Sequence, residues 1–441
     1  MAAPNPETYR CVRSPAGVYC RVGMPDPCDR PAGAAGNRGD MPVGKKYCIL
    51  RDLSGVSLAS PFDSARPTTG RLIEAAAEPH VEVIELNKRE IRELARDPEV
   101  RGLAPVMPTK LIRPMEMGNH RENGEASTGV TWGVKAVGAD VSRCSGANVV
   151  VSVLDTGIDS THPAFNGVNL VQEDFSGSGI GDKFGHGTHC AGTIFGRAVD
   201  GTRIGVAPGV TKALIGKVLD DNGSGDTEML LRGMEWALHQ GAQVISMSLA
   251  YDFPGYVQAL IEFLGLRADV AASKGLEAYR ANLRLFDALM MLIGRREGLG
   301  EGVVGTIVTA AAGNESFRPE FEIAVALPAA SEGVVSVGAL EQTPNGLVPA
   351  SFSNTFPQIS APGVDVLSAD LGGGLVALSG TSMATPHVAG VLALWWEEVT
   401  KSPVPVKAST VMARMLANAS TAPFAPNVDI EDRGIGIVRA P

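Results

Sequence analysis

The sequence has few cysteines, no excess of positive charge and no long hydrophobic run. Six cysteines in 441 residues are too few for a disulfide scaffold, and they include no C-x-x-C pair. We interpret them as reduced thiols, which favours a cytoplasmic protein; a zinc site formed by Cys11, Cys20, Cys28 and Cys48 is the alternative. The formal net charge of −10 argues against a protein that binds nucleic-acid phosphates.

A membrane span is not expected either. The longest strongly apolar stretch in a helical context, Leu283 to Ile293, contains Asp287 and is too short to cross a bilayer. The first 30 residues have no apolar segment typical of a secretory signal, so with Met1 as the start we expect no export. With 44% hydrophobic residues, the chain can still bury a large core.

Composition divides the chain into four segments. Residues 1–44 are rich in proline, glycine and arginine, which predicts a mobile leader. Residues 45–113 alternate strand and helix patterns, as in a small α+β domain, with helices predicted over 70–77 and 88–95. Residues 114–130 are polar and turn-rich, which predicts a linker.

Residues 131–441 have the pattern of an α/β domain. Short apolar runs, predicted as strands, alternate with helical stretches, and the runs cover 149–154, 213–219, 244–249, 306–312 and 334–339. Nearly continuous apolar strands of this kind form a mostly parallel sheet covered by helices on both faces, a doubly wound arrangement. Chemistry in such folds lies at the carboxyl ends of the strands.

Three motifs supply the side chains of a nucleophilic triad. Asp155 directly follows an apolar run, His186 lies between two glycines, and Ser382 is surrounded by small residues. A serine hydroxyl is a poor nucleophile unless an imidazole accepts its proton, and the imidazole needs a carboxylate to fix its tautomer. The order also excludes an α/β-hydrolase esterase, in which the serine precedes the histidine.

The Asp–His–Ser order and the segments DTG, GHGTHCAGT and GTSMATPHVAG resemble the subtilisin-like serine proteases (peptidase S8). The histidine motif with Cys190 is similar to the proteinase-K-type branch. The resemblance covers about residues 130–441 and implies a subtilisin-like fold, with Asp155 orienting the imidazole, His186 as general base and Ser382 as nucleophile. It implies structural roles for His189 and His387.

The same resemblance implies an oxyanion hole and a substrate-binding edge. In the segment AAAGN, Asn314 is expected to donate its side-chain amide to the oxyanion, together with the backbone N–H of Ser382. The segments expected to pair with an extended substrate are Gly223, Ser224 and Gly225, and Ser248, Leu249 and Ala250. Ala250-Tyr251 stand where the family usually has two glycines, which predicts a pocket for a small or medium apolar side chain.

Residues 45–113 resemble the ferredoxin-like, inhibitor I9-like propeptide of these proteases, with the best match over Lys88–Val100. This resemblance implies that the domain acts as an intramolecular inhibitor and is cut off between about Ile112 and Gly129. A permanently retained regulatory domain is the alternative.

Calcium and other cofactors are not implied by the motifs. Many relatives bind calcium through an Asp after a His-Pro pair, but Ala164 follows His162-Pro163 here. The loop that would complete this site contains Arg197 and Arg203, and cations do not suit a hard divalent ion. We expect no calcium at the usual site, leave other calcium sites open, and expect no cofactor in the chemistry.

An insertion occupies about residues 251–302. Within it Leu276, Tyr279, Leu283, Phe286, Met290 and Ile293 follow 3-4 spacing, which predicts an amphipathic helix. The helix packs either on the enzyme's own surface or against a partner or second copy. Taken together, these features predict a serine endopeptidase made as a self-inhibited zymogen; a catalytically locked scaffold that binds peptide strands in a regulatory assembly is the alternative.

Overall fold

The computed structural model describes residues 9–14, 17–22, 45–53, 79–115, 129–297 and 305–441. Two compact units divide the chain, residues 1–43 and residues 44–441. In the first unit, β1 (Tyr9–Ser14) and β2 (Gly17–Val22) form an antiparallel hairpin. These strands lie within the predicted mobile leader, where valine and tyrosine favour extended backbone, and the mobility of the leader stays a prediction.

The second unit begins with a small antiparallel sheet. Its strands are β3 (Lys45–Asp52), β4 (Pro79–Leu86) and β5 (Val100–Pro105), in the order β4-β3-β5. Helix α1 (Lys88–Leu94) starts at Asn87, which forms a capping box with Glu90. These elements agree with the α+β pattern predicted from the sequence. The helix predicted over 70–77 lies outside the described residues.

The remaining elements belong to the larger α/β part. Its strands are β6 (Pro108–Leu111), β7 (Gly129–Val130), β8 (Val150–Asp155), β9 (Asn169–Asp174), β10 (Thr202–Arg203), β11 (Lys212–Lys217), β12 (Ser224–Asp226), β13 (Val244–Met247), β14 (Leu249–Tyr251), β15 (Ile307–Ala311), β16 (Val334–Thr343), β17 (Gly346–Pro349), β18 (Ile359–Pro362), β19 (Val366–Ala369) and β20 (Leu375–Leu378). Its helices are α2 (Trp132–Ala136), α3 (His186–Phe195), α4 (Thr227–His239), α5 (Phe253–Leu264), α6 (Ala268–Arg296), α7 (Thr381–Lys401), α8 (Ala408–Ala417) and α9 (Ile430–Arg433).

The central sheet has eight strands. Its order is β17-β16-β15-β13-β8-β11-β9, with β18 paired to β16, and every pair except β16–β17 is parallel. Side chains alternate between two cores: Val151 and Val153 face the core that contains α3 and α7, whereas Leu154 faces the core that contains α4 and α6. The predicted α/β class and mainly parallel sheet are confirmed.

The insertion forms α5 and α6, and α6 packs against the small N-terminal sheet. Leu285 and Phe286 of α6 share one buried core with Cys48 and Leu50 of β3. The apolar seam predicted from the sequence therefore has an intramolecular partner, although Leu276 at its start stays 48% exposed. A partner or second copy on this helix stays a prediction.

Among the described residues, no helix has an apolar stretch of the length that a bilayer requires. Cys48, which belongs to the alternative zinc set, is a free thiol buried in the core. The other three cysteines of that set lie outside the residues whose side chains are described.

Candidate active site

Asp155 and His186 meet at the carboxyl end of the central sheet. Asp155 is the last residue of β8, and His186 is the first residue of α3, directly after Gly185 at φ 93°. His186 Nδ1 lies 2.8 Å from Asp155 Oδ1 and 3.0 Å from Oδ2, and both side chains are 1% exposed. Because the carboxylate only accepts, Nδ1 carries the proton and Nε2 is free to act as the base in the neutral imidazole.

The charge of His186 depends on this carboxylate. Burial by itself lowers the pKa of the imidazole, but the Asp155 carboxylate outweighs it and holds the pKa of His186 well above its usual value. The other two histidines of the motifs behave in the opposite way. Burial lowers the pKa of His189 to about 3 and that of His387 to about 4, so both are neutral at pH 7.

Both neutral histidines are bonded to backbone. His189 Nε2 lies 3.0 Å from the carbonyl oxygen of Val366, and His387 Nδ1 lies 2.8 Å from that of Met383. A carbonyl only accepts, so each ring donates at that nitrogen. These contacts agree with the structural roles that the resemblance implies.

Asp182, which was not identified from the sequence, connects the residue after β8 with the start of α3. Its carboxylate accepts the backbone N–H groups of Gly185 and Thr188 at 2.8 and 2.9 Å and so caps the start of α3. It also accepts the hydroxyl of Thr156, the residue directly after Asp155, at 3.0 Å. An acidic residue four positions before the histidine is the signal of a helix N-terminus that could have identified it.

Ser382 lies at the start of α7 but makes no hydrogen bond to His186. Its hydroxyl donates to the carbonyl oxygen of Ile112 at 2.9 Å. His186 Nε2 is buried and has no hydrogen-bond partner among the described atoms. The third side chain of the predicted triad is therefore engaged by the segment that follows β6.

Asn314 follows β15 and contacts the next carbonyl of the same segment. Its Nδ2 donates to the oxygen of Arg113 at 3.0 Å, while its Oδ1 accepts from the backbone N–H of Thr381 at 2.9 Å. Further along, the N–H of Met115 donates to the oxygen of Ser379 at 2.8 Å. The segment Leu111–Met115 thus lies in the site, where the hydroxyl of Ser382 and the amide of Asn314 contact successive carbonyl groups.

The predicted substrate-binding edge is occupied by β6. This strand lies between β12 and β14 in an antiparallel sheet, where Lys110 pairs with Ser224 on one side and Ala250 on the other. The N–H of Leu111 donates to the oxygen of Gly223 at 2.8 Å, and that of Ile112 to the oxygen of Ser248 at 3.4 Å. Leu249 and Gly225 pair with the same strand, so all six predicted residues line it.

A small apolar pocket holds the side chain of Ile112. Ile112, Ala250 and Ala311 form one buried cluster, against which Ala326 packs. Three methyl groups narrow this pocket, which we call the S1 pocket. The preference for a small or medium apolar side chain that Ala250 predicts here stays a prediction.

Asn282 of α6 fixes the turn that leads into β6. Its Nδ2 donates to the oxygen of Pro105 at 2.9 Å, and its Oδ1 accepts from the hydroxyl of Thr227 at 3.1 Å. That hydroxyl also accepts from the N–H of Met107 at 3.0 Å. Asn282 is fully buried, so this network joins the insertion, α4 and the N-terminal sheet without contact with solvent.

One side-chain group among the described residues has the spacing of a metal site: Asp155, His186 and Cys190. The first two are bonded to each other, and burial raises the pKa of the Cys190 thiol, which opposes a thiolate ligand. The Sγ atom of Cys190 lies 3.4 Å from the backbone carbonyl oxygen of Ser382. The residues therefore fit a packed thiol beneath the site better than a metal ligand.

The usual calcium site of the family does not fit this chain. Arg197 donates to the oxygens of Phe195 and Val210 at 2.9 and 2.8 Å. Arg203 donates to the oxygens of Ala139 and Val206 at 3.0 and 3.1 Å. Both guanidinium groups of this loop thus bond to carbonyl oxygens of residues outside it, and cations in the loop oppose calcium, which requires several oxygen ligands.

Comparison with known proteins agrees with this geometry. Residues 146–436 match the peptidase S8 family, described as the subtilase family. The chain is 33% identical over 360 residues to the thermostable alkaline protease of Halalkalibacterium halodurans, covering 79% of this chain and 81% of that protein. It is 30% identical over 360 residues to subtilisin E of Bacillus subtilis, covering 79% of this chain and 80% of that protein.

A solved structure shares the fold. Fervidolysin from Fervidobacterium pennivorans, described as a keratinolytic enzyme related to subtilisin, aligns at a TM-score of 0.59 and 23% identity. The alignment covers 90% of this chain and 60% of that one. With the family match and the curated relatives, these findings show that the chain belongs to the subtilase family and is a serine endopeptidase.

Proposed function

We propose that this endopeptidase is made as a self-inhibited zymogen whose catalytic residues are Asp155, His186 and Ser382. The single observation that carries the proposal is the chain's own segment lying in the site, with its Ile112 carbonyl at the Ser382 hydroxyl and its Arg113 carbonyl at Asn314. The residue types and the Asp155–His186 geometry support the catalytic assignment.

The chemistry follows from the proton positions. With a peptide carbonyl at Ser382, the neutral His186 Nε2 accepts the hydroxyl proton while Oγ bonds to the carbonyl carbon. The negative charge moves to the carbonyl oxygen, where the Asn314 amide and the Ser382 N–H stabilise it. His186 then donates its proton to the leaving amine, the C–N bond breaks, and water repeats the sequence to release the acyl group.

Inhibition follows because the Ser382 hydroxyl and the Asn314 amide contact two different carbonyl groups of the segment. Acylation requires the hydroxyl and the Asn314 amide at one carbonyl, but here they meet carbonyls one residue apart. The segment therefore blocks substrates while it is itself cut slowly, at a bond between Ile112 and Gly129.

A locked scaffold that binds peptide strands without cleaving them is the second candidate. It is favoured by the same division of contacts and by the clamp of Asn282 on the turn before β6. The two candidates differ in whether Ser382 ever turns over a peptide bond.

We further propose that the chemistry needs no cofactor and that the enzyme acts in a reducing compartment. The first proposal is supported by the complete set of side chains for acyl transfer and by the guanidinium contacts of Arg197 and Arg203. The second is supported by the free thiols of Cys48, Cys144 and Cys190. Fractionation of the native host would test the location.

Hydrolysis of unfolded casein tests the enzymatic assignment. We expect activity that develops after a lag in the full chain and none in Ser382→Ala. Ser402→Ala serves as the matched control because its hydroxyl bonds to Val399 at the far end of α7. Equal residual activity in the full chain and Ser382→Ala would overturn the assignment, and no activity in either would favour the locked scaffold.

A further inference from the structure

Strand β6 marks the path of an extended polypeptide through the cleft. It is held on both sides by backbone pairing, which fixes the side chain that faces each part of the wall. Ile112 enters the S1 pocket, and Lys110 lies two residues before it. In an extended strand, alternate residues point the same way, so Lys110 shares the face of Ile112.

The Lys110 ammonium meets an acidic side chain of the insertion. Its Nζ lies 3.1 Å from Asp252 Oδ1. The backbone of Asp252 also donates its N–H to the oxygen of Pro108 at 2.9 Å. Two contacts thus fix Asp252 against the same strand.

Asp252 has no part in the acyl-transfer steps. It is the N-cap of α5, where its Oδ1 accepts from the N–H of Gly255 at 3.2 Å. Its side chain is 28% exposed and that of Lys110 is 41% exposed, so the carboxylate lies at the rim of the cleft. A rim charge attracts a cation along the strand without the cost of full burial.

We propose that Asp252 is a specificity-determining residue that selects a lysine or arginine two residues before the scissile carbonyl of a polypeptide substrate. The proposal rests on the proposed function, since it assigns a substrate class to the same site. Together with the S1 pocket, it predicts substrates in which a basic residue, any residue and a medium aliphatic residue occur in that order.

Internally quenched peptides test the selection. The parent peptide is Thr-Lys-Leu-Ile-Arg-Ala-Met, and two variants have glutamine or glutamate in place of lysine. With the full chain we expect kcat/KM about three- to fivefold higher for lysine than for glutamine, as for a partly exposed ion pair, with glutamate lower still. The preference should shrink as sodium chloride is raised, because salt screens exposed charges.

Asp252→Asn separates the charge from the helix cap, since asparagine also caps helices. We expect this variant to lose the preference for lysine over glutamine. Glu262→Gln is the matched control, because Glu262 lies on the same helix and contacts Gln258. An unchanged preference in Asp252→Asn, or an equal loss in Glu262→Gln, would overturn the proposal.

A second measurement decides the proposal if no peptide is cleaved, an outcome that would count against the proposed function alone. In the Ser382→Ala chain, hydrogen exchange at Leu111 and Ile112 reports how firmly β6 is held. Lys110→Gln and Asp252→Asn should each speed exchange by about three- to fivefold, and the double variant should be no faster than either. Additive effects, or none, would overturn the proposal.

Discussion

Ser382 and Asn314 contact successive carbonyl groups of the segment that follows β6. The Ser382 hydroxyl donates to the oxygen of Ile112, and the Asn314 amide donates to the oxygen of Arg113. Pro114 follows directly, and its ring fixes φ and restricts Arg113 to extended conformations. The carbonyl group at Asn314 is therefore one residue further along the segment than the carbonyl group at the Ser382 hydroxyl.

The buried network of Asn282 should stabilise the occupied cleft. Asn282→Leu removes a donor to Pro105 and an acceptor for Thr227, and buried groups left unpaired cost about 1–3 kcal/mol. We expect the midpoint of urea unfolding to fall in the Ser382→Ala background, and hydrogen exchange at Met107 to rise.

Lys274→Leu is the control for that variant, because Lys274 is exposed on the same helix. Equal midpoints in Asn282→Leu and Lys274→Leu would show that the network does not secure the turn.

Acid should destabilise the fold through His189 and His387. Their folded-state pKa values of about 3 and about 4 lie below the usual 6.5, so the unfolded chain binds more protons between these limits. Stability is therefore present above pH 6.5 and lost as the pH falls towards 4, by up to about 1.4 kcal/mol per pH unit for each histidine. Urea unfolding of Ser382→Ala at pH 6.5, 5.5 and 4.5 measures this loss.

His186 does not contribute to the loss of stability between pH 6.5 and 4.5. Its raised pKa contributes stability that is fully present below pH 6.5 and is lost as the pH rises through the folded value, so its contribution is constant over the acid range. His387→Gln should reduce the acid slope by the share of one histidine, whereas the exposed His239→Gln should not. The same slope in both variants would refute the assignment.

Calcium should not be needed at the loop of Arg197. Thermal unfolding of Ser382→Ala should have the same midpoint in EDTA and in millimolar calcium. Arg197→Met removes donors to two buried carbonyl oxygens, so we expect a lower midpoint that calcium does not restore. A midpoint that rises by several degrees with calcium in the parent would contradict the guanidinium interpretation.

The S1 pocket should widen when a methyl group is removed. Ala250→Gly takes away one of the methyls packed around Ile112, so larger side chains gain room. We expect kcat/KM for a peptide with phenylalanine at this position to rise at least threefold relative to isoleucine. Ala326→Gly should act in the same direction, and an unchanged ratio in both would exclude these methyls as the limit.

The fold class and the candidate catalytic residues could be predicted from the sequence because both are marked by local patterns. Continuous apolar runs predicted the strand that ends at Asp155 and the strand that ends shortly before Asn314, and motifs rich in glycine marked His186 and Ser382. The hairpin in residues 9–22 was missed because proline and glycine in its surroundings outweighed two short runs of β-forming residues.

The contacts made by Asp252 and Asn282 could not be anticipated in the same way. Asp252 and Asn282 act across more than a hundred residues, on Lys110 and Pro105, and no local pattern encodes such a distance. Periodicity showed that α6 has an apolar face but not that this face covers β3 and β5, since any apolar surface would satisfy the same spacing.

Intact-mass spectrometry of the purified full chain, followed over time beside Ser382→Ala and Pro114→Ala, tests whether Ser382 cuts the segment that occupies the cleft. We expect a cut between Ile112 and Gly129 in the full chain, none in Ser382→Ala, and faster cutting in Pro114→Ala, because that variant frees the backbone to realign with Asn314. Pro98→Ala, away from the cleft, should cut at the parent rate. A full chain that stays intact, or a Ser382→Ala chain that is cut at the same bond and rate, would show that Ser382 does not cut this segment.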